Sequence, residues 1–185
     1  MLDSFEIRCA QERLLVGNSP IEGLGMFAQF GFRRGDLLCA IQGKRVTIPT
    51  LKVLYDQGAL RPSDPLQISE RHYLVMAPPF IYVNHSCNPN TAVVGEVDLV
   101  ALRPIDKGEE VTFDYAMTEW IWERFGRHAQ WKMQCRCGSK SCEGHITQFP
   151  GMPLTRKHDY FKQGALPNHI IRKIVKTGLA YSETK

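Results

Sequence analysis

The sequence predicts a mainly β domain, a β-rich α+β arrangement of small sheets, on three observations. Its apolar runs are strand-sized, glycine, proline or asparagine bounds most of them, and helical periodicity is confined to a few short stretches. The strand-sized runs fall at residues 5–10, 37–42, 73–77, 98–101 and 110–115. Charged turns such as Arg33-Arg34-Gly35-Asp36 and Asp106-Lys107-Gly108-Glu109 separate them. Three short helices are expected. Residues 49–57 have Thr47 or Thr50 near the start and Gly58 at the end. Residues 118–132 carry Trp120, Ile121, Trp122, Phe125 and Trp131, an aromatic cluster suited to core or lid packing. Residues 167–176 put Ile170, Ile171, Ile174 and Val175 on an apolar side.

A chain of 185 residues suits one domain, and 43% hydrophobic with 23% charged residues suffices for an ordinary globular core. The formal net charge of +4 is only mildly basic. No basic stripe is interleaved with aromatics, which argues against direct sequence-specific binding to nucleic acid. No run approaches the roughly 18 apolar residues of a membrane span, so no membrane partner is expected. Asp3, Glu6, Arg8, Glu12 and Arg13 interrupt the first fifteen residues, which argues against a secretory signal. An intracellular location, cytoplasmic or nuclear, is expected, where six cysteines read as thiols or metal ligands rather than disulfides. After Gln148 prolines, histidines and basic residues increase, the mark of a C-terminal extension rather than a second full domain.

The most concentrated local chemistry is Cys135-Arg136-Cys137-Gly138-Ser139-Lys140-Ser141-Cys142. Three thiols at C-x-C-x4-C spacing fit one tetrahedral zinc, and Arg136 and Lys140 favour the thiolate forms. A closed site needs one ligand more; Cys9, Cys39 and Cys87 are the candidates, or water fills the gap.

The stretch Asn84-His85-Ser86-Cys87-Asn88-Pro89-Asn90 follows the apolar residues 80–83 as a loop rich in donors and acceptors. Three other segments belong with it. Gly23-Leu24-Gly25-Met26-Phe27-Ala28 is a glycine turn followed by a small apolar strand. Asp106-Lys107-Gly108-Glu109-Glu110-Val111-Thr112-Phe113-Asp114-Tyr115 is an acidic turn followed by a strand, and the cysteine cluster comes last. In this order the four segments resemble the motifs of the SET-domain protein lysine methyltransferases with a post-SET zinc element. The resemblance runs from Gly23 to Cys142.

The resemblance implies a SET fold of small sheets with a C-terminal pseudoknot. The SET domain would cover residues 5–116, a post-SET zinc segment residues 117–148, and an extension, a candidate cofactor lid with Tyr160 or Phe161, residues 149–185. It implies transfer of a methyl group from S-adenosylmethionine to a lysine presented by a protein, such as a histone or another basic protein. Gly23, Leu24, Gly25, Tyr82, Asn84 and His85 would contact the cofactor, and Tyr115 would be catalytic. Phe113 would line the substrate channel, with Tyr73 or the cluster from Trp120 to Trp131 as the stand-in for a channel aromatic that the chain lacks. Cys87 would join Cys135, Cys137 and Cys142 around structural zinc, leaving Cys9 and Cys39 as buried thiols. Members with phenylalanine at the position of Phe113 tend to add two or three methyls, so di- or trimethylation is expected.

The physical demands fit this reading. An in-line displacement needs donor and amine held collinear, the amine unprotonated, and water excluded. A phenol near pKa 10 is a poor base at neutral pH, so the role expected of Tyr115 is orientation, with weak CH···O contacts to the methyl. Some positions depart from the family pattern. Ile81-Tyr82-Val83 stands where an arginine-containing triplet is common, Ile41-Gln42-Gly43 lacks the usual tyrosine, and no cysteine-rich segment precedes Pro20. The variable insert at residues 52–71, where this family reads its substrate, is short and favours no obvious peptide.

Overall fold

A computed structural model describes residues 12–120 and 133–177. Twelve short strands appear in it. The first half of the chain contains β1 (Leu14–Asn18), β2 (Leu24–Ala28), β3 (Leu37–Ala40), β4 (Gly43–Thr47), helix α1 (Ile48–Asp56), β5 (Pro65–Gln67) and β6 (His72–Met76). There follow β7 (Asn84–His85), β8 (Thr91–Val94), β9 (Asp98–Ala101), β10 (Glu110–Phe113), β11 (Met133–Gln134), β12 (His145–Ile146), and helices α2 (Leu154–Lys162) and α3 (Asn168–Thr177).

The strands form four small sheets, in agreement with the expected class. Their orders are β1-β2-β10-β7, β3-β9-β8, β4-β6-β5 and β11-β12. Every pairing is antiparallel except β10 with β7, which sets Thr112 beside Asn84 and Phe113 beside His85. This parallel contact brings together the two polar motifs, which lie far apart in the chain. Beneath it Met26, Phe80, Val83 and Val111 are fully buried.

The predicted run 98–101 is β9, while 37–42, 73–77 and 110–115 each shift or shorten by one or two residues. The run 5–10 lies outside the described residues. Residues 80–83 form a 3₁₀ turn (Phe80–Tyr82) instead of a strand. Pro78 and Pro79 precede it and have no N–H to offer a ladder. Helix α1 begins one residue earlier than predicted, with the Thr47 hydroxyl accepting from the Thr50 N–H at 3.4 Å. Of the predicted helix 118–132 only the first three residues are described; there Trp120 stacks on Phe149 with centroids 5.6 Å apart.

The C-terminal extension is part of the main core. Phe149, Met152, Tyr160, Leu166, Ile170 and Ile174 are all buried with the sheets. In α3 the buried face is His169, Ile170 and Ile174, whereas Val175 is 76% exposed and off the predicted apolar side. Helix α2 was not expected, because its sequence is polar and buries only Tyr160. No described helix is long and apolar enough to cross a membrane.

Candidate active site

The hairpin turn after β1, the 3₁₀ turn before β7, and the β11 region enclose a cavity of about 510 Å³. Gly23, Leu24, Tyr82, Asn84, His85 and Tyr115, all singled out from sequence, line it. Gly23 adopts φ +53°, a left-handed conformation that glycine reaches without strain. Gly25 does something different: it does not line the cavity. A Cβ on it would collide with the Glu110 carboxylate, so its role is to let β2 approach β10 closely.

That carboxylate anchors the turn. The Glu110 Oε1 atom accepts from Ser19 Oγ at 2.8 Å and from Asn84 Nδ2 at 2.8 Å. The Asn84 amide also reaches Ser19 Oγ at 3.0 Å, Leu24 O at 3.0 Å and Glu22 O at 3.3 Å. Its two N–H groups therefore serve four acceptors of the glycine turn and β10, and the side chain shapes the cavity wall by bracing it.

Tyr115 sits where this cavity meets a second one of only about 10 Å³, lined by Phe113, Tyr115, Thr118, Glu119, Leu66 and Met76 among others. That volume admits about one water-sized group. The Tyr115 hydroxyl donates to the Val83 carbonyl at 2.9 Å. Burial pushes its pKa further above the usual value, which keeps it a phenol. The Phe113 and His85 rings brace it at 4.8 and 5.4 Å. Tyr73 stands behind the small cavity: it is not among the lining residues, and its hydroxyl donates to Glu119 Oε2 at 3.0 Å.

Beside Tyr115 lies a thiol cluster. The ligand atoms of His85, Cys87, Cys135 and Cys137 all fall within 4.8 Å of one another. Cys142 touches the thiols of Cys135 and Cys137 but is outside that tightest group. The donor set fits a soft metal ion such as zinc. The Cys87 N–H points at Cys137 Sγ at 3.4 Å and the Gly144 N–H at Cys142 Sγ at 3.4 Å, contacts that favour thiolates. Burial opposes ionisation at Cys137, but backbone N–H groups and neighbouring thiols outweigh it and bring its pKa to about 7. His85 Nδ1 accepts from the Tyr115 N–H at 3.2 Å. Its proton therefore sits on Nε2, 3.4 Å from Cys87 Sγ. Burial, assisted by the Arg156 charge, pushes the His85 pKa down to about 3, so the ring is neutral and its 3.5 Å approach to Asp114 is no ion pair.

Asp114 is wholly buried and held from the far side by Tyr160 and Arg156 of α2. Tyr160 thus packs against the back of the site, and Phe161 is exposed. Neither lines the large cavity. Other site residues went unread in the sequence. Arg61 lines the large cavity, and so does Arg136, which the sequence offered only as a neighbour that favours thiolates. Arg61 comes from the variable insert, where neither spacing nor neighbours mark it. Ser19 carries no motif either, while Glu110 and Asp114 lay within a recognised motif without an assigned role.

The small-sheet fold, the two cavities joined at a buried tyrosine and the thiol cluster define a domain of the SET class. The SET domain family matches residues 23–116, and the chain belongs to that family. It is 43% identical over 87 residues to a histone-lysine N-methyltransferase, H3 lysine-36 specific, of Mycosarcoma maydis, covering 43% of this chain and 8% of that protein. It is 40% identical over 72 residues to the histone-lysine N-methyltransferase Set2 of Drosophila melanogaster, covering 35% of this chain and 3% of that protein. Against the histone-lysine N-methyltransferase TRX1 of Oryza sativa subsp. japonica it is 28% identical over 150 residues, covering 74% of this chain and 14% of that protein. The chain therefore spans only a small part of the length of the relatives it matches.

Proposed function

We propose that this chain is a protein-lysine N-methyltransferase that uses S-adenosylmethionine, with a histone as the first substrate class to test and the nucleus as its place of action. The observation that carries this reading is the position of Tyr115. With Ser63 it walls both the large and the small cavity, and it is the aromatic residue common to the two, with its hydroxyl fixed on the Val83 carbonyl. Such a junction suits a methyl donor on one side and an alkyl amine on the other. The names of the relatives support the same chemistry.

Bound S-adenosylmethionine supplies an electrophilic methyl on a sulfonium. The chain's residues would do the rest. Gly23 and Leu24 offer backbone to the donor's methionine portion, Arg61 and Arg136 face its carboxylate, and Tyr82 and His85 flank the remainder. The Tyr115 oxygen, oriented by the Val83 carbonyl, would stand at the point of transfer and present a weak acceptor to the methyl hydrogens. As a phenol Tyr115 orients rather than deprotonates; burial and the neighbouring positive charge lower the pKa of the lysine itself. Phe113 leaves an apolar wall that accommodates added methyls, in favour of di- or trimethylation. Cys87, Cys135, Cys137 and Cys142 would hold structural zinc, which contributes folding free energy to the 133–146 segment and closes the large cavity.

The test is incubation of zinc-loaded protein with methyl-labelled S-adenosylmethionine and either core histones or whole-cell lysate, with Tyr115→Phe alongside. Label on lysine that is lost in the variant is the expected result. Cofactor binding without label in either pool would point instead to a SET module that binds without turnover or to a non-protein amine acceptor.

A further inference from the structure

Phe113 gives the small cavity an apolar wall, but the opposite chemistry is also there. Glu119 lines the same cavity and is the only acid among its lining residues. It is 3% exposed, and the Tyr73 hydroxyl fixes its carboxyl at 3.0 Å. Of the three hydroxyls that line this cavity, two already have acceptors: Tyr115 donates to Val83 O, and Thr118 Oγ1 donates to Tyr115 O at 3.0 Å; the third, Ser63, is uncharged and cannot form the charge-assisted bond that the Glu119 carboxylate can. A buried carboxyl without a cation is unfavourable, and burial raises its pKa to about 8. An arriving ammonium reverses that cost, because an opposite charge at contact favours the carboxylate.

Resting on the methyltransferase reading, we propose that Glu119 is the specificity-determining residue of the acceptor site: it holds one N–H of the target amine and stops the reaction at the dimethyl product. The argument is stereochemical. Around the lysine nitrogen one position is the side chain itself and one is the lone pair aimed at the methyl donor. Of the remaining two, the position against Phe113 takes a hydrogen or a methyl, and the position against Glu119 keeps a hydrogen for its charge-assisted bond. In each transfer the nitrogen lone pair forms the N–C bond, the C–S pair passes to sulfur, the sulfonium becomes a neutral thioether, and the surplus proton goes to water. Two rounds fill the positions that accept carbon. A third needs a tertiary amine turned with no hydrogen towards Glu119, which forfeits the charge-assisted bond and sets a methyl against the carboxyl instead.

The test has two readouts. Mass spectrometry of histone lysines after exhaustive reaction should end at dimethyl for the wild type and continue to trimethyl for Glu119→Leu. Independently of turnover, calorimetry with N,N-dimethylbutylammonium and N,N,N-trimethylbutylammonium should show the dimethyl probe binding the wild type about tenfold tighter. That preference corresponds to about 1.4 kcal/mol, and it should fall to near unity in Glu119→Leu. Glu119→Gln keeps the volume and lowers dimethyl-probe affinity about tenfold, which decides the matter if the leucine variant fails to fold. Equal binding of both probes to the wild type, or a preference that survives both substitutions, overturns the assignment. Probe discrimination without any labelled lysine leaves Glu119 as the amine-recognising group and sinks the protein-methyltransferase reading alone.

Discussion

The Tyr160 hydroxyl donates a 3.0 Å hydrogen bond to Asp114 Oδ2, which ties helix α2 to the residue immediately before Tyr115. Arg156 Nε approaches the same oxygen at 3.2 Å, and its Nη2 lies 3.5 Å from Glu143 Oε2, beside the thiol cluster. One oxygen of a wholly buried carboxyl therefore joins the C-terminal extension, the end of β10 and the cysteine loop. Removing the cation strands that charge, so Arg156→Met should destabilise the fold by about 3 kcal/mol. Tyr160→Phe removes a single bond and should cost about 1–2 kcal/mol. Urea unfolding of both variants checks this; midpoints equal to wild type would show that the extension is held by apolar packing alone.

The close approach of Gly25 to Glu110 predicts a second effect. A methyl at residue 25 has to displace the carboxylate that accepts from Ser19 and Asn84. Gly25→Ala should cost about 1–3 kcal/mol as overpacking. It should also weaken S-adenosylmethionine binding, because the glycine turn loses its brace. Isothermal titration beside denaturant unfolding separates the two, and an unchanged affinity would mean that Glu110 turns aside without moving the turn.

How much of this was legible in the sequence depended on whether a residue's role is local. The polar motifs identified Asn84, His85 and Tyr115 because their chemistry travels with neighbours in the chain, and all three line one cavity. Strand periodicity located β9 to the residue, because its four residues are bounded by turns. It missed β4, whose Gly-Lys-Arg-Val-Thr is polar on its exposed positions and buries only Val46. Arg61 and Glu119 were illegible, as was the Asp114 partner of Tyr160, because each acts across the fold. Glu119 meets Tyr73 across 46 residues, and Tyr160 meets Asp114 across the same separation. Helix α2 lacks an apolar stripe; its place is set by the buried carboxyl it serves, which no period of the sequence encodes.

His169 should make the fold acid-sensitive. It is fully buried, with Nε2–H donating to the Thr118 carbonyl at 2.8 Å. Burial pushes its pKa from 6.5 down to about 4, so the folded state holds it neutral. The unfolded chain binds a proton below pH 6.5 that the folded one refuses until about pH 4. Its contribution is thus present above pH 6.5 and lost as pH falls towards 4, about 3 kcal/mol over the window. Other groups titrate there too, Asp114 among them, so the measurement is a difference. His169→Gln keeps an N–H donor without the titration, and its unfolding free energy should fall less steeply with acid than that of the wild type. Parallel pH profiles would remove His169 as the cause.

The thiol cluster leaves two residues competing for the fourth position, and the hydrogen bonds choose between them. His85 belongs to the tightest group, but its Nδ1 accepts from the Tyr115 N–H and its Nε2 carries the proton that points at Cys87 Sγ. Neither nitrogen is free to ligate. Cys142 already touches Cys135 and Cys137, and the Gly144 N–H donates to its sulfur. An all-cysteine site is therefore expected, with His85 orienting the Cys87 thiolate from outside, as residues that support a metal's ligands commonly do. The purified protein should carry one zinc per chain, and X-ray absorption should show sulfur alone at about 2.3 Å. Chelation should lower the thermal midpoint, since metal binding here is folding free energy. Cys142→Ser should lose the metal, whereas His85→Gln should keep it at reduced affinity. A nitrogen scatterer near 2.0 Å, or zinc retained by Cys142→Ser and lost by His85→Gln, would give the fourth place to the histidine and require the Tyr115 N–H to find another acceptor.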